Sequence, residues 1–219
     1  MSRQKLRKFA ETKESKFVVE AEKPFYTHCK GKWKSDFFKN NHDIVLELAC
    51  GRGEYTTGLA PHFPHKNFIG IDVKGDRLWH GSNIAEENNY QNVAFLRAQI
   101  HHLEDFFEQN EVAEIWLTFP DPRPKERDRK RRLTNPRFMG IYQNILKPEG
   151  VFRFKTDNPG LFEYTLTVLE GLKIKPEAIT RDLYNSPLLA EHYDIVTRFE
   201  RIFFQKGFSI NYLRFRFGS

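Results

Sequence analysis

The sequence predicts an α/β fold with a mostly parallel sheet, on three observations. Five short, mostly apolar runs alternate with helix-length segments between residues 44 and 156. The first run ends in a glycine-bearing turn, and after Gly171 the pattern changes to irregular and antiparallel-looking segments. Strands alternating with helices imply βαβ units, whose right-handed crossovers make the sheet parallel.

In chain order the strand candidates are IVLELA (Ile44 to Ala49), NFIGIDV (Asn67 to Val73), NVAFLR (Asn92 to Arg97), VAEIWLTF (Val112 to Phe119) and GVFRFKT (Gly150 to Thr156). A helix is expected over Thr134 to Leu146, because Thr134-Asn135-Pro136 is a start signal and Lys147-Pro148-Glu149-Gly150 a stop. A second is expected over Asn158 to Leu172, with Asp157 a candidate cap and Pro159 in the first turn. Farther on, IKPEAITRDL, FERIFFQKG and INYLRFRF read as antiparallel strands added at one edge, around an irregular loop from Tyr184 to Asp194. The first 40 residues are different in character. Up to Lys34 they hold ten Lys or Arg against four Glu, with Phe9, Phe17, Phe25, Tyr26 and Trp33 interleaved. A basic arm that orders on RNA fits this composition, and so does a helical cap, so residues 1–40 are set apart from the main domain at 41–219.

Composition narrows the partners. With 219 residues, 39% hydrophobic and 15% aromatic, the chain has material for one sizeable core. Its net charge of +6 makes nucleic acid or an anionic surface the expected partner class. Cys29 and Cys50 are too few for a disulfide framework, and no Cys/His cluster has metal-ligand spacing, so a reducing cytoplasm and no metal are expected. The eight histidines, His101-His102 included, show no ligand or triad spacing. No run of 18 apolar residues exists, so no membrane span is expected.

The chemistry concentrates at Phe119 to Leu133, FPDPRPKERDRKRRL. Asp121 follows the fourth strand candidate, and in open α/β sheets ligands bind at the carboxyl ends of strands. The flanking prolines fix their own φ and restrict the residues before them, which aims the carboxylate. Seven of the ten residues from Arg123 to Arg132 are cations. One aimed acid beside a dense positive field suits an enzyme that acts on a polyanion.

The turn Glu47-Leu48-Ala49-Cys50-Gly51-Arg52-Gly53-Glu54 points to a cofactor. Gly51 and Gly53 allow close approach of a ligand to the backbone, ahead of a helix N-terminus with unpaired N–H groups. A dinucleotide fingerprint needs a third glycine where Thr56 stands, and Glu54 repels a pyrophosphate, so a phosphate-poor nucleoside is favoured. Asp72, closing the second strand, suits a ribose diol, and Gln99, after the third, suits adenine's amino edge. Together these features point to S-adenosylmethionine.

ELACGRGEY, GIDVKGDR, FPDPRPKERDRKRRL, FKTDN and TRFE, in this order from Glu47 to Glu200, resemble the bacterial tRNA (guanine-N7-)-methyltransferase family. The resemblance covers about four fifths of the chain and is most specific in FPDPxxKxRxxKRRL. It implies a Rossmann-like, S-adenosylmethionine-dependent methyltransferase fold with a seven-stranded, mostly parallel sheet and antiparallel C-terminal strands. It also implies methylation of N7 of guanine 46 in the tRNA variable loop; a monomer and a homodimer are both compatible with the sequence. Carried over, Glu47, Asp72, Gln99 and Asp121 match cofactor positions, joined by the turn residues Gly51 and Gly53; Asp121 is also the implied active-site acid. Lys125, Asp157, Thr197, Arg198, Phe199 and Glu200 match substrate positions. Arg127, Arg129, Lys130, Arg131 and Arg132 are expected on tRNA phosphates, which position without reading sequence. Ala49 stands where the family has a glycine, Gln99 where it has an acid, and Arg123 and Asp128 where it has Trp and His. Those departures keep two alternatives open: a tRNA-binding protein impaired in catalysis, and a methyltransferase acting on another RNA.

Guanine N7 carries a lone pair and no proton, so its methylation requires positioning rather than a general base. The product base is cationic. Asp121 is therefore expected to stabilise developing charge, while Asp157 accepts from guanine N1–H and the exocyclic amine.

Overall fold

The computed structural model describes residues Arg3–Gly218; Met1, Ser2 and Ser219, at the ends of the 1–40 and 41–219 segments, lie outside the described residues. The elements run α1 Arg3–Glu14, β1 Val18–Val19, β2 Asp43–Leu48, α2 Glu54–Leu59, β3 Lys66–Asp72, α3 Gly75–Glu87, β4 Val93–Arg97 and α4 Leu103–Phe106. They continue with β5 Val112–Thr118, α5 Pro136–Ile145, β6 Leu146–Thr156, α6 Pro159–Gly171, β7 Ala178–Thr180, α7 Arg198–Gln205 and β8 Asn211–Phe215. One sheet of eight strands takes the order β1-β4-β3-β2-β5-β6-β8-β7, with β8 antiparallel to β6 and β7 and every other pair parallel. This is the Rossmann-like, mostly parallel sheet that was expected, with one strand more.

The five central strands are mostly apolar because both faces are covered. One face packs on a cluster containing Trp33, Phe107, Tyr142 and Phe162, the other on Tyr55, Phe95, Trp116 and Tyr212. Helix α5 starts as expected, with Pro136 in its first turn and the Asn135 side chain accepting from Arg137 N–H at 3.3 Å. Strand order reverses between β2 and β5, so the carboxyl ends of β2 through β6 open onto one crevice.

One segment departs from the sequence reading. FERIFFQKG was expected as a strand, but Arg198–Gln205 is helix α7, because Thr197 and Glu200 form a reciprocal capping box and the apolar residues Phe199, Ile202 and Phe203 fall at helical spacing. The aromatic residues before residue 40 belong largely to the core. Val18–Val19 pairs with β4, and Trp33 is fully buried, stacked on Phe107 with its Nε1–H donating to Phe106 O at 3.0 Å. Helix α1 lies on α3, where Thr12 donates to Gly75 O at 3.3 Å and Lys8 Nζ sits 3.0 Å from His80 Nε2. No helix among the described residues is long and apolar enough to cross a membrane.

Candidate active site

A cleft of about 920 Å³ opens at the carboxyl ends of β2 to β6 and beneath the start of α7. Of the residues singled out by sequence, Gly51, Asp72, Gln99, Asp121, Asp157, Arg131, Thr197, Arg198 and Phe199 line it. Glu47, Gly53, Lys125, Arg127, Arg129, Lys130, Arg132 and Glu200 are not among its lining residues.

The turn after β2 is tightly wound. Cys50 N–H donates to Ile71 O at 3.0 Å, Gly53 N–H to Cys50 O at 2.8 Å, and Ala49, Gly51 and Gly53 all have positive φ, at 54°, 57° and 73°. The two glycines serve different ends. A side chain at Gly51 meets nothing within 4 Å and projects into the cleft, whereas one at Gly53 meets Phe95 Cε1 at 2.5 Å. Gly51 thus leaves open space beside the turn, while Gly53 is required by the packing behind it. Glu47 lies beneath the turn, 3% exposed, with Oε2 accepting from Thr56 N–H at 2.8 Å and Thr56 Oγ1–H at 2.6 Å. Its Oε1 is buried with no hydrogen-bond partner, and burial pushes its pKa up to about 8 against the pull of Thr56.

Asp72 is held rigidly at the end of β3. Its Oδ2 accepts from Gly51 N–H at 3.0 Å and its Oδ1 from Lys74 N–H at 2.9 Å. Each oxygen keeps a lone pair for a second donor, so the fixed carboxylate presents two acceptors side by side. Gln99 is exposed and its side chain makes no capping bond to the turn Ile100–His102, which leaves the amide available.

Positive φ at Phe119 (48°) and Arg123 (46°) brackets the Pro-Asp-Pro turn after β5. Asp121 inside it is exposed; Oδ1 accepts from Arg123 N–H at 3.2 Å and Oδ2 faces Arg123 Nε at 3.1 Å. The residue that replaces the family's Trp therefore orients the acid. Asp157, after β6, is half-buried, and desolvation raises its pKa above the usual Asp value. It does not cap α6: Asn158 does, accepting from Leu161 N–H at 2.8 Å, which leaves Asp157 facing the cleft.

The basic segment forms a short helical turn, Glu126–Arg131. Its cations are not equivalent. Arg132 lies over the Tyr164 ring at 4.5 Å and donates to Arg123 O at 3.1 Å, so it braces the loop. Arg129 pairs with Glu126 at 3.2 Å and Arg131 with Asp128 at 3.4 Å. Lys125, Arg127 and Lys130 are exposed and make no ion pair among the described residues.

Residues 41–213 match a family described as "Putative methyltransferase". The tRNA (guanine-N(7)-)-methyltransferase of Cytophaga hutchinsonii is 49% identical over 219 residues, covering 99% of both chains. The chain belongs to the tRNA (guanine-N7-)-methyltransferase family. A further relative of that name, from Bacteroides thetaiotaomicron, is 44% identical over 222 residues, covering 99% of this chain and 86% of the relative. Among solved structures, the 16S rRNA methyltransferase KamB superposes with a TM-score of 0.64 at 14% identity, over 83% of this chain and 91% of that one. That likeness speaks for the fold.

In this member of the tRNA (guanine-N7-)-methyltransferase family, the TRFE motif begins a helix rather than a strand. Thr197 caps α7 through its side chain, Arg198 N–H donates to Glu54 Oε1 at 3.3 Å, and Phe199 is half exposed over the cleft. Glu200 turns inward and is fully buried: Oε1 lies 2.5 Å from Lys155 Nζ and accepts from Tyr184 Oη–H at 3.0 Å, while Oε2 accepts from Thr197 N–H at 3.2 Å. Sequence reasoning did not single out Lys155, Phe203, Arg52 or Lys8, although the last three line the cleft. Lys155 carried a signal, since a lysine between Phe154 and the strand end, two residues before Asp157, needs an internal partner if it is buried.

Proposed function

We propose that the protein transfers a methyl group from S-adenosylmethionine to N7 of guanine 46 in the variable loop of tRNA. The observation that carries this reading is a single cleft in which Asp72, Asp121 and Asp157 end successive parts of one sheet, beside a segment with exposed, unpaired cations. The names of the relatives support the choice of tRNA and of guanine N7.

The residues present suit the cofactor. The open space at Gly51 accommodates a ligand against the backbone, Glu47 holds the turn from beneath through Thr56, and Asp72 offers two fixed acceptors to a ribose diol. Gln99 in place of the family's acid still accepts from an adenine amine through its carbonyl. When bound, S-adenosylmethionine supplies an electrophilic methyl group on a sulfonium. The protein's task is then to hold guanine N7 in line and to stabilise the positive charge that grows on the base. Asp121, aimed by Arg123, supplies negative potential at that point without taking a proton. Asp157 accepts from N1–H and the exocyclic amine, and Lys125, Arg127 and Lys130 hold phosphates of the polyanion.

Two transcripts of one tRNA, with guanine or adenine at position 46, test the reading with labelled S-adenosylmethionine. Label is expected in the first alone. Equal incorporation into both would place the methyl elsewhere and favour another RNA position.

A further inference from the structure

Helix α7 has eight residues, and the only fully buried side chain among them is a carboxylate, Glu200. Phe199 and Phe204 are about half exposed and Phe204 packs on the Tyr184 ring at 4.2 Å between centroids, so apolar contacts hold this helix against the domain only in part. Its anchor is Lys155. Lys155 and Glu200 side chains are each 1% exposed, their charged atoms 2.5 Å apart, and Lys155 Nζ also donates to Tyr55 Oη at 2.9 Å. Tyr55 Oη in turn lies 2.7 Å from Nδ1 of the buried His192. Every member of this chain of contacts is a polar group removed from water.

Such a pair is a poor means of adding stability, because its desolvation offsets most of its attraction; its attested use is to select one arrangement over others. The arrangement selected here concerns the cleft. Lys155 sits on β6 two residues before Asp157, and its carbonyl accepts from Phe119 N–H at 2.8 Å, where the Pro-Asp-Pro turn begins. The same residue therefore touches the strand bearing Asp157, the turn bearing Asp121 and the helix bearing Phe199. Phe119, Phe138, Phe199 and Phe203 all line the cleft, and of these Phe199 is the most exposed, so α7 offers the most open aromatic surface to a nucleobase there.

We infer that Lys155 is a positioning residue: through its buried pair with Glu200 it sets α7 so that Phe199 and Phe203 form the wall against which a purine base of the RNA stacks. This rests on the reading of the cleft as a nucleobase site. Glu200 then acts from inside the protein and does not touch substrate.

The test compares Lys155→Met, Tyr184→Phe, Phe199→Ala and Lys155→Met/Phe199→Ala with the wild-type chain. Hydrogen exchange of α7 and β6 amides and binding of S-adenosylhomocysteine are measured beside methyl-transfer kinetics. Lys155→Met should release protection in α7 while β6 keeps it, raise KM for tRNA about tenfold and leave S-adenosylhomocysteine affinity within about threefold. The double variant should fall short of the product of the two single effects, because both changes act through one wall. Should Lys155→Met fail to fold, Tyr184→Phe removes one hydrogen bond to Glu200 without stranding a charge, and a smaller rise in KM for tRNA is expected. Unchanged α7 protection, or effects of Lys155→Met and Phe199→Ala that multiply, would overturn the inference. A wild-type chain that transfers no methyl would instead sink the proposed function, and the exchange measurement would still report on the anchor.

Discussion

Glutamine in place of Glu47 is expected to stabilise the cofactor-free protein, and increasingly so as pH rises. Burial lifts the Glu47 pKa from 4.5 to about 8. The folded state thus retains a proton that the unfolded chain releases above about pH 4.5, and stability contributed at this site falls as pH climbs from there to about 8. At about 1.4 kcal/mol per pH unit, a gap of about 3.5 pH units sets a ceiling of roughly 5 kcal/mol. Glu47→Gln keeps a carbonyl oxygen for the Thr56 amide and hydroxyl and has no proton to lose. Urea unfolding of both proteins at steps from pH 5 to 9 reads the difference. The variant's advantage should widen by about 1.4 kcal/mol per pH unit and level off above about pH 8, while its affinity for S-adenosylmethionine falls. Parallel unfolding curves across this range would refute the reasoning, since they would mean that Glu47 is already ionised and satisfied without a cofactor.

Gly53→Ala combines a left-handed φ, costing about 1–2 kcal/mol, with a Cβ 2.5 Å from Phe95, and thermal unfolding should show a loss of about 2–5 kcal/mol. Gly51→Ala adds only the first cost, about 1–2 kcal/mol, yet should weaken cofactor binding more, as titration with S-adenosylhomocysteine will register. Asp121→Asn should lower kcat about a hundredfold with tRNA affinity unchanged in a filter-binding assay; equal loss of both would point to a binding role. Arg127→Ala or Lys130→Ala should each lower the slope of log affinity for tRNA against log salt by about 1, whereas Arg132→Ala should loosen the loop after Asp121, seen as faster amide exchange there.

Much of this architecture was legible because its signals are local. Apolar runs closed by Asp72, Asp121 and Asp157 mark strand ends, and Asn135-Pro136 marks a helix start, without reference to distant residues. Helix α7 was obscured by a Phe- and Ile-rich stretch of high β-propensity, although Thr197 and Glu200 at capping-box spacing carried the opposing signal. The roles of Lys155 and Glu200 depend on each other across a long stretch of chain, so neither residue alone announces the pair. The packing demand on Gly53 was hidden, because Phe95 on β4 is invisible from the turn itself. Likewise Trp33 and the aromatic residues around it lacked a clear period, since they fill a core assembled from several short pieces.

The most direct test of the account is methyl transfer from labelled S-adenosylmethionine to unmodified bulk tRNA, with the product nucleosides separated and identified. The proposed function predicts 7-methylguanosine as the labelled product. Binding of tRNA with no methyl transferred, or label on any other nucleoside, would contradict it.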